Sequence, residues 1–258
     1  MSRSFNLVGI VFATVGSLIL LTGCNQFTPE PTSQITELEI DDIIVGDGPE
    51  VAKGDTVYVL YTGTLADETV FDSNNAPEAV PFSFVVGGGQ VIRGWDEGLI
   101  GMRRGGTRKL SIPSEMGYGD QAMERIPANS DLFFTIELLE VVKEGEEHLF
   151  EIEDLEPGTG REVKDGDTVV IEYRGMILNG KEFDTTSRRD KPVTFQVGAE
   201  EGKGVRAIPG IDRGVVGMRV GGKRLVRLMP EAAFGIFAEY GVPEGMVVIY
   251  EIELKEIK

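Results

Sequence analysis

Residues 54–63 read GDTVYVLYTG, and residues 166–175 read GDTVVIEYRG. Each stretch leaves a Gly-Asp turn and enters a β-branched and aromatic series, the composition of a half-buried strand. The second lies 112 residues after the first, and Phe71-Asp72 recurs at the same distance as Phe183-Asp184. Gly94, Gly101-Met102 and Gly105-Gly106 recur 116 residues on, as Gly210, Gly217-Met218 and Gly221-Gly222. Tyr118-Gly119 against Phe234-Gly235, Ile126-Pro127 against Val242-Pro243, and IEL at 136 and 252 keep that second distance. The second copy therefore carries a net insertion of four residues between Asp184 and Gly210, with GAEEGKGVR at 198–206 as its expected position.

A repeating unit of about 110 residues is a whole domain, too long for a stacking repeat. The expected boundaries are residues 35–144 for the first domain and 145–258 for the second, with KEGEE at 143–147 a joint too short for independent tumbling. Expected strands are TVYVLYTGTL, FSFVV, RKLSI and LFFTIELLEVV in the first copy, and TVVIEYRGMI, VTFQV, KRLVRL and MVVIYEIEL in the second. Each copy also holds one helical segment, starting at Gly94 or Gly210 and predicted to last two to three turns, with the following Gly-Gly pair as its C-cap. Strands with one short helix against them define an α+β fold, twice over: two tandem domains, each an antiparallel sheet curled around a helix.

The first 34 residues differ in kind. Arg3, the apolar run FNLVGIVFATVGSLILLTG and then Cys24 have the order of a secretory signal. Leu21-Thr22-Gly23-Cys24 resembles a bacterial lipobox. The expectation is a lipoprotein signal peptide over residues 1–23, lipidation at Cys24, and a polar stalk over residues 24–34. That places the chain in the cell envelope outside the cytoplasm, held to a membrane through its N-terminal lipid. An uncleaved span is the alternative, since about 19 apolar residues just cross a bilayer. Cys24 is the sole cysteine, so the domains contain no disulfide and must be stabilised by packing.

With a formal charge of −18, a nucleic-acid backbone is excluded as a partner. The local cluster Arg103, Arg104, Arg108 and Lys109 reads as a solvated face beside a turn. Only one histidine is present, His148 in the joint, which excludes a Ser/His/Asp or Cys/His arrangement. No spacing of His and Cys fits a zinc site. VVGGGQVIRG contains glycines but no Lys-Ser/Thr, so it is no phosphate loop. Asp72, in VFDSNN, lacks an evident partner for acid–base work. An activity of this chain must therefore do without nucleophile, metal and general base. Rotation about an Xaa–Pro bond meets that condition: its barrier is about 18–20 kcal/mol, and an apolar, water-poor pocket accelerates it by holding the twisted amide better than the planar one.

Both copies resemble FKBP-type peptidyl-prolyl isomerase domains, over almost everything after residue 35. The first copy carries the family's pocket residues in order: Tyr61 in VLYTG, Phe71 and Asp72 in VFD, Phe82 in PFSF, and Val91, Ile92 and Trp95 in VIRGW. Tyr118 in GYG, Ile126 in IPA and Phe134 in LFF complete the set. The resemblance implies proline-containing polypeptides as partners and no cofactor or metal. It implies Trp95 as pocket floor, the Ile92 N–H and the Tyr118 hydroxyl as donors to substrate, and Asp72 near the rotating carbonyl. A tryptophan of about 150–250 Å² is a broad apolar floor for a proline ring. The family often has an arginine five residues after this aspartate. SNNAPEAVPF lacks it, so Asp72 is expected to be less firmly oriented, whereas Arg189 stands at that spacing after Asp184.

The second copy keeps Tyr173, Phe183, Asp184, Ile208 and Val242. It has Val193 for Phe82, Ala207 for Val91, Ile211 for Trp95, Phe234 for Tyr118 and Tyr250 for Phe134. Losing one hydrogen bond, about 0.5–1.5 kcal/mol, and as much again of ring contact costs about tenfold to a few hundredfold in turnover. The first pocket is thus expected to be the working site of an isomerase that assists folding of exported proteins, and the second a worn one. The competing reading is a non-catalytic, lipid-anchored chaperone or binding module. The short segments DQAMER and IFAEYG count against it, since they leave no room for an inserted chaperone domain.

Overall fold

The computed structural model describes residues 35–77, 79–146, 149–189, 191–199, 209–234 and 241–258, with Arg189 and Pro209 described by their backbone alone. The signal segment, Cys24, the stalk, His148, most of the inserted stretch, Ala207 and Ile208 lie outside the described residues.

The two repeats are two hydrogen-bonded sheets. The first contains β1 (Glu39–Ile44), β2 (Thr56–Thr64), β3 (Val70–Ser73), β4 (Phe82–Val85), β5 (Thr107–Ile112) and β6 (Leu132–Val142). They lie in the order β1-β5-β6-β2-β3, with β4 also paired to β2. The second contains β7 (Phe150–Glu156), β8 (Thr168–Ile177), β9 (Glu182–Thr185), β10 (Val193–Gln196), β11 (Lys223–Leu228) and β12 (Val248–Ile257), in the order β10-β8-β12-β11-β7 with β9 on β8. Every pairing is antiparallel, as the α+β reading requires. Strand alternation builds the core: Leu132, Phe134, Ile136 and Leu138 of β6 point inward, while Thr135 and Glu137 between them are exposed.

Among the described residues each sheet holds one α-helix, α1 (Arg93–Gly98) or α2 (Pro209–Gly214). These six-residue helices are shorter than the two to three turns the sequence predicted. The chain leaves α1 at Leu99, and Gly101 turns it at φ 77°, so the Gly105-Gly106 pair expected as cap belongs to the next turn, leading into β5. Glycine matters inside the helix instead. A Cβ on Gly94 would stand 2.4 Å from Ile112, and one on Gly98 2.8 Å from Leu110. The second copy repeats this at Gly210 and Gly214, 2.3 and 2.8 Å from Leu228 and Val226. The helix is pressed onto the sheet at a distance only glycine permits. Between these glycines, Asp96 accepts the N–H groups of Gly87 (2.8 Å) and Gly89 (3.0 Å), and Asp212 accepts that of Gly198 (3.0 Å).

Four strands were not anticipated: the short β3 and β9, and the sheet edges β1 and β7. The edges are exposed along their whole length, so they show no alternation. Backbone pairing holds them, together with two arginines. Arg108 is 5% exposed; it donates to both carboxylate oxygens of Asp42 on β1 (2.7 and 3.0 Å) and to the Gly98 and Ile100 carbonyls behind α1 (2.8 and 3.0 Å). Arg224 repeats this with Asp154, Gly214 and Val216. The reading of the basic cluster as a solvated face is therefore corrected at Arg108: its partners come from two separate segments, β1 and the end of α1, and it is buried between them. Exposed Arg103, paired with Glu50, does fit that reading.

Both sheets belong to one compact unit. A bulge in β6 sets Tyr58 opposite Glu140 and Val59 opposite Leu138, skipping Leu139. With the alternation reset, Tyr58 and Val142 pack into the second domain's core, and the Tyr58 hydroxyl donates to the Gly245 carbonyl. Glu140, wholly without exposure, accepts from Arg104 of its own domain (2.9 Å) and from Arg227 of the other. Glu151 of β7 also accepts from Arg104 (2.9 Å). Burial works against the Arg104 charge, but the hydrogen bonds to Glu140 and Glu151 outweigh it and hold its pKa above the usual value.

Candidate functional site

Between β2, β3 and α1 of the first domain lies a cavity of about 310 Å³. Nine of the ten residues picked from the sequence line it: Tyr61, Phe71, Asp72, Phe82, Val91, Ile92, Trp95, Tyr118 and Phe134. The tenth, Ile126, does not; it is 6% exposed and packs in the core with Met116 and Leu132. Gln90 takes the remaining place in the lining. Its Oε1 accepts the Val85 N–H (2.8 Å), which ties the rim to β4, and its position beside Val91 was the only sequence signal for it.

The floor is a box of rings. Trp95, 4% exposed, stands 5.0 Å from Tyr61 and 5.1 Å from Phe134, both nearly perpendicular. Phe82 and Phe84 follow at 6.2 and 5.6 Å. Edge-to-face contacts of this kind favour a fixed arrangement beyond area alone, by about 0.5–1.5 kcal/mol each. The Trp95 Nε1 is buried and has no hydrogen-bond partner among the described residues, a cost the box carries. Phe84, inward-facing one pleat beyond Phe82, was missed in the sequence because its alternation reads as plain core.

Polar groups sit at the rim. The Tyr61 hydroxyl donates to Asp72 Oδ2 at 2.6 Å. Burial pushes the Tyr61 phenol well above its usual pKa, and the Asp72 carboxylate raises it further, so the hydroxyl remains a donor. This bond orients Asp72 where the arginine is absent. The Tyr118 side chain is 37% exposed at the cavity edge. Ile92 precedes α1 with extended backbone, and its N–H makes no hydrogen bond among the described residues. Asn74, also missed, stitches the wall together: its Oδ1 accepts the Tyr61 N–H (2.7 Å), and its Nδ2 donates to the carbonyls of Val59 (3.1 Å) and Val80 (3.3 Å).

The second domain repeats the frame with other contents. Tyr173 donates to Asp184 Oδ2 at 2.6 Å, but Asp184 Oδ1 also accepts the Thr185 N–H (2.9 Å). Ile211 is 5% exposed, and Tyr250, at 3%, becomes the hub of the rings, 5.4 Å from Tyr173 and 5.7 Å from Phe183. Phe183 in turn meets Phe234 at 6.0 Å. Val242 is 1% exposed and Val193 packs against the same core. The side chain of Arg189 and residue Ile208 are outside the described residues.

The site is thus an apolar, ring-lined cavity on an antiparallel sheet with a short helix, with Tyr61, Asp72 and Tyr118 at its rim. The sequence pattern of the family described as FKBP-type peptidyl-prolyl cis-trans isomerase matches residues 48–139 and again residues 159–255, and the chain belongs to that family, with two such domains. Over 102 residues it is 50% identical to FK506-binding protein 4 of Gibberella zeae, covering 40% of this chain and 20% of that protein. Over 95 residues it is 50% identical to the peptidyl-prolyl cis-trans isomerase FKBP2 of Mus musculus, covering 36% of this chain and 67% of that protein. The chain spans 20% to 27% of the length of the fungal relatives it matches. Among solved structures, the three FKBP domains of wheat FKBP73 align over 86% of this chain and 94% of that one, at 23% identity and a TM-score of 0.38. The family assignment rests on the sequence match.

Proposed function

We propose that the chain is a peptidyl-prolyl cis-trans isomerase whose first pocket does the work. The observation that carries this reading is the ring box beneath a polar rim: a proline ring fits on Trp95, the amide before it lies by Tyr118 and Asp72, and the carbonyl after it reaches the Ile92 N–H. No proton transfer is needed. The pocket excludes water from the amide and favours the orthogonal geometry, in which the C–N bond has lost its double-bond character. The Ile92 N–H holds the carbonyl that follows the proline. Asp72, fixed by Tyr61, faces the carbon of the twisting carbonyl. The substrates are proline-containing segments of exported proteins, met outside the cytoplasm by a chain tethered through lipidated Cys24. The test is cis–trans exchange of an Xaa-Pro peptide with the full chain. Acceleration that disappears in Trp95→Leu supports the reading, and a chain without acceleration ends it.

A further inference from the structure

We infer that the second domain is a positioning element for the first pocket, acting through the side-chain amide of Asn179; this rests on the isomerase reading above. The pocket wall at Phe82 hangs on the connection from β3 to β4. Val80 is 45% exposed and Phe82 40%, and the buried Pro81 between them has no N–H to anchor, so core burial holds this wall at one residue only. Two amides hold it. From inside the domain, Asn74 Nδ2 takes the Val80 carbonyl at 3.3 Å. From the second domain, Asn179 Nδ2 donates to the adjacent Ala79 carbonyl.

The orientation of the Asn179 amide is fixed by its own turn. Asn179 Oδ1 accepts the Lys181 N–H at 2.9 Å, in the tight β8–β9 hairpin closed by Ile177 N–H to Lys181 O (3.0 Å). The NH₂ group therefore has to face outward, toward Ala79. The base of the hairpin is firm as well. Ile177 pairs with Val248 of β12, and the second domain is fastened to the first by Tyr58 on Gly245 and by buried Glu140 between Arg104 and Arg227. Phe82, held this way, keeps its ring 6.3 Å from Tyr61 and 6.2 Å from Trp95. A second copy whose own pocket has changed thus retains a task that depends on its sheet and its hairpin.

Asn179→Asp in the full chain separates the brace from the turn. It keeps Oδ1 for Lys181 but sets an oxygen against the Ala79 carbonyl. The expected result is a KM for an Xaa-Pro peptide raised about three- to tenfold, with kcat little changed and the thermal midpoint that of the parent. Because the brace acts through Phe82, its effect is expected to shrink in a Phe82→Leu background, so that the double variant is less impaired than the product of the single effects. An unchanged KM, or effects that multiply, overturns the inference. If the parent chain binds the peptide but fails to accelerate exchange, the isomerase reading falls alone. Quenching of Trp95 emission by the same peptide then decides the brace: a three- to tenfold weaker affinity in Asn179→Asp supports it, equal affinity overturns it. A parent that neither binds nor isomerises the peptide sinks both.

Discussion

In the first domain four rings stand within 5.0–6.2 Å of Trp95; in the second, Ile211 occupies that place and the rings gather on Tyr250 instead. Around these two centres the scaffold is nearly the same. Gly94 and Gly98 press one helix onto its sheet as Gly210 and Gly214 press the other, and Asp96 and Asp212 fasten both to the turn after the fourth strand. The repeated frame is scaffold, and the residue inside it, Trp95 or Ile211, is content. A fold of this kind can exchange its pocket floor without touching the glycines and the aspartate that hold the helix. The Tyr–Asp hydrogen bond survives in both pockets at 2.6 Å, so it marks the shared geometry rather than the difference. What separates the sites is the ring box, the Tyr118 hydroxyl, and the second oxygen of the carboxylate. Asp184 gives its own to Thr185, and no such bond forms at Asp72 among the described residues.

The comparison breaks most sharply at Trp95. Trp95→Leu is expected to lower kcat/KM for an Xaa-Pro peptide by about a hundredfold, through lost floor area and lost edge contacts worth a few kcal/mol together. Ile211→Leu, its counterpart, should leave the exchange rate as it was. Tyr61→Phe removes one charge-assisted hydrogen bond and is expected to cost about tenfold in kcat/KM, whereas Tyr173→Phe should change it by less than about twofold. Both are read in the same exchange assay. Ile211→Trp returns the ring that the second pocket lacks, but Ile211 is 5% exposed against a ring cluster already filled by Tyr250. Overpacking there is expected to cost about 1–3 kcal/mol, seen as a midpoint several degrees lower, with no gain in turnover.

The smallest effect concerns the two edge strands, where the domains should agree. The hydrogen bonds from Arg108 and Arg224 hold Asp42 and Asp154 below the usual carboxylate value of 3.8. A folded-state pKa lowered in this way stabilises the fold above pH 3.8, and the contribution is lost as pH falls through the lowered value. Asp42→Asn and Asp154→Asn are each expected to lower the midpoint by about 2–4 °C at pH 7, since an exposed carboxylate on a buried arginine is worth about 1 kcal/mol. Once the pH has fallen below the lowered carboxylate pKa values, the variants and the parent should converge.

Much of this was legible before any coordinate. The pocket could be read because its residues are types that rarely recur in order by chance, and nine of them do meet at one cavity. Ile126 misled because a buried aliphatic beside a pocket and one lining it look alike in sequence. β1 and β7 were invisible because an edge strand exposed on both faces has no apolar period, and EIDDII or FEIEDLE reads as loop. Arg108 was misread for a related reason. Its burial depends on Asp42, Gly98 and Ile100, which sequence spacing does not bring together. Asn74 and Asn179 carry no pattern at all; each matters through a carbonyl in another segment.

Glu140 has a consequence for how the chain comes apart. Its two oxygens are shared between arginines of different domains, and it has no exposure at all. If one domain unfolded first, a carboxylate and a guanidinium would have to lose each other while one of them was still embedded, a penalty of about 3–5 kcal/mol. Neither half can then melt at leisure beside an intact neighbour. Heat or denaturant should meet a single cooperative object, with one transition whose denaturant slope reflects the surface of both domains together.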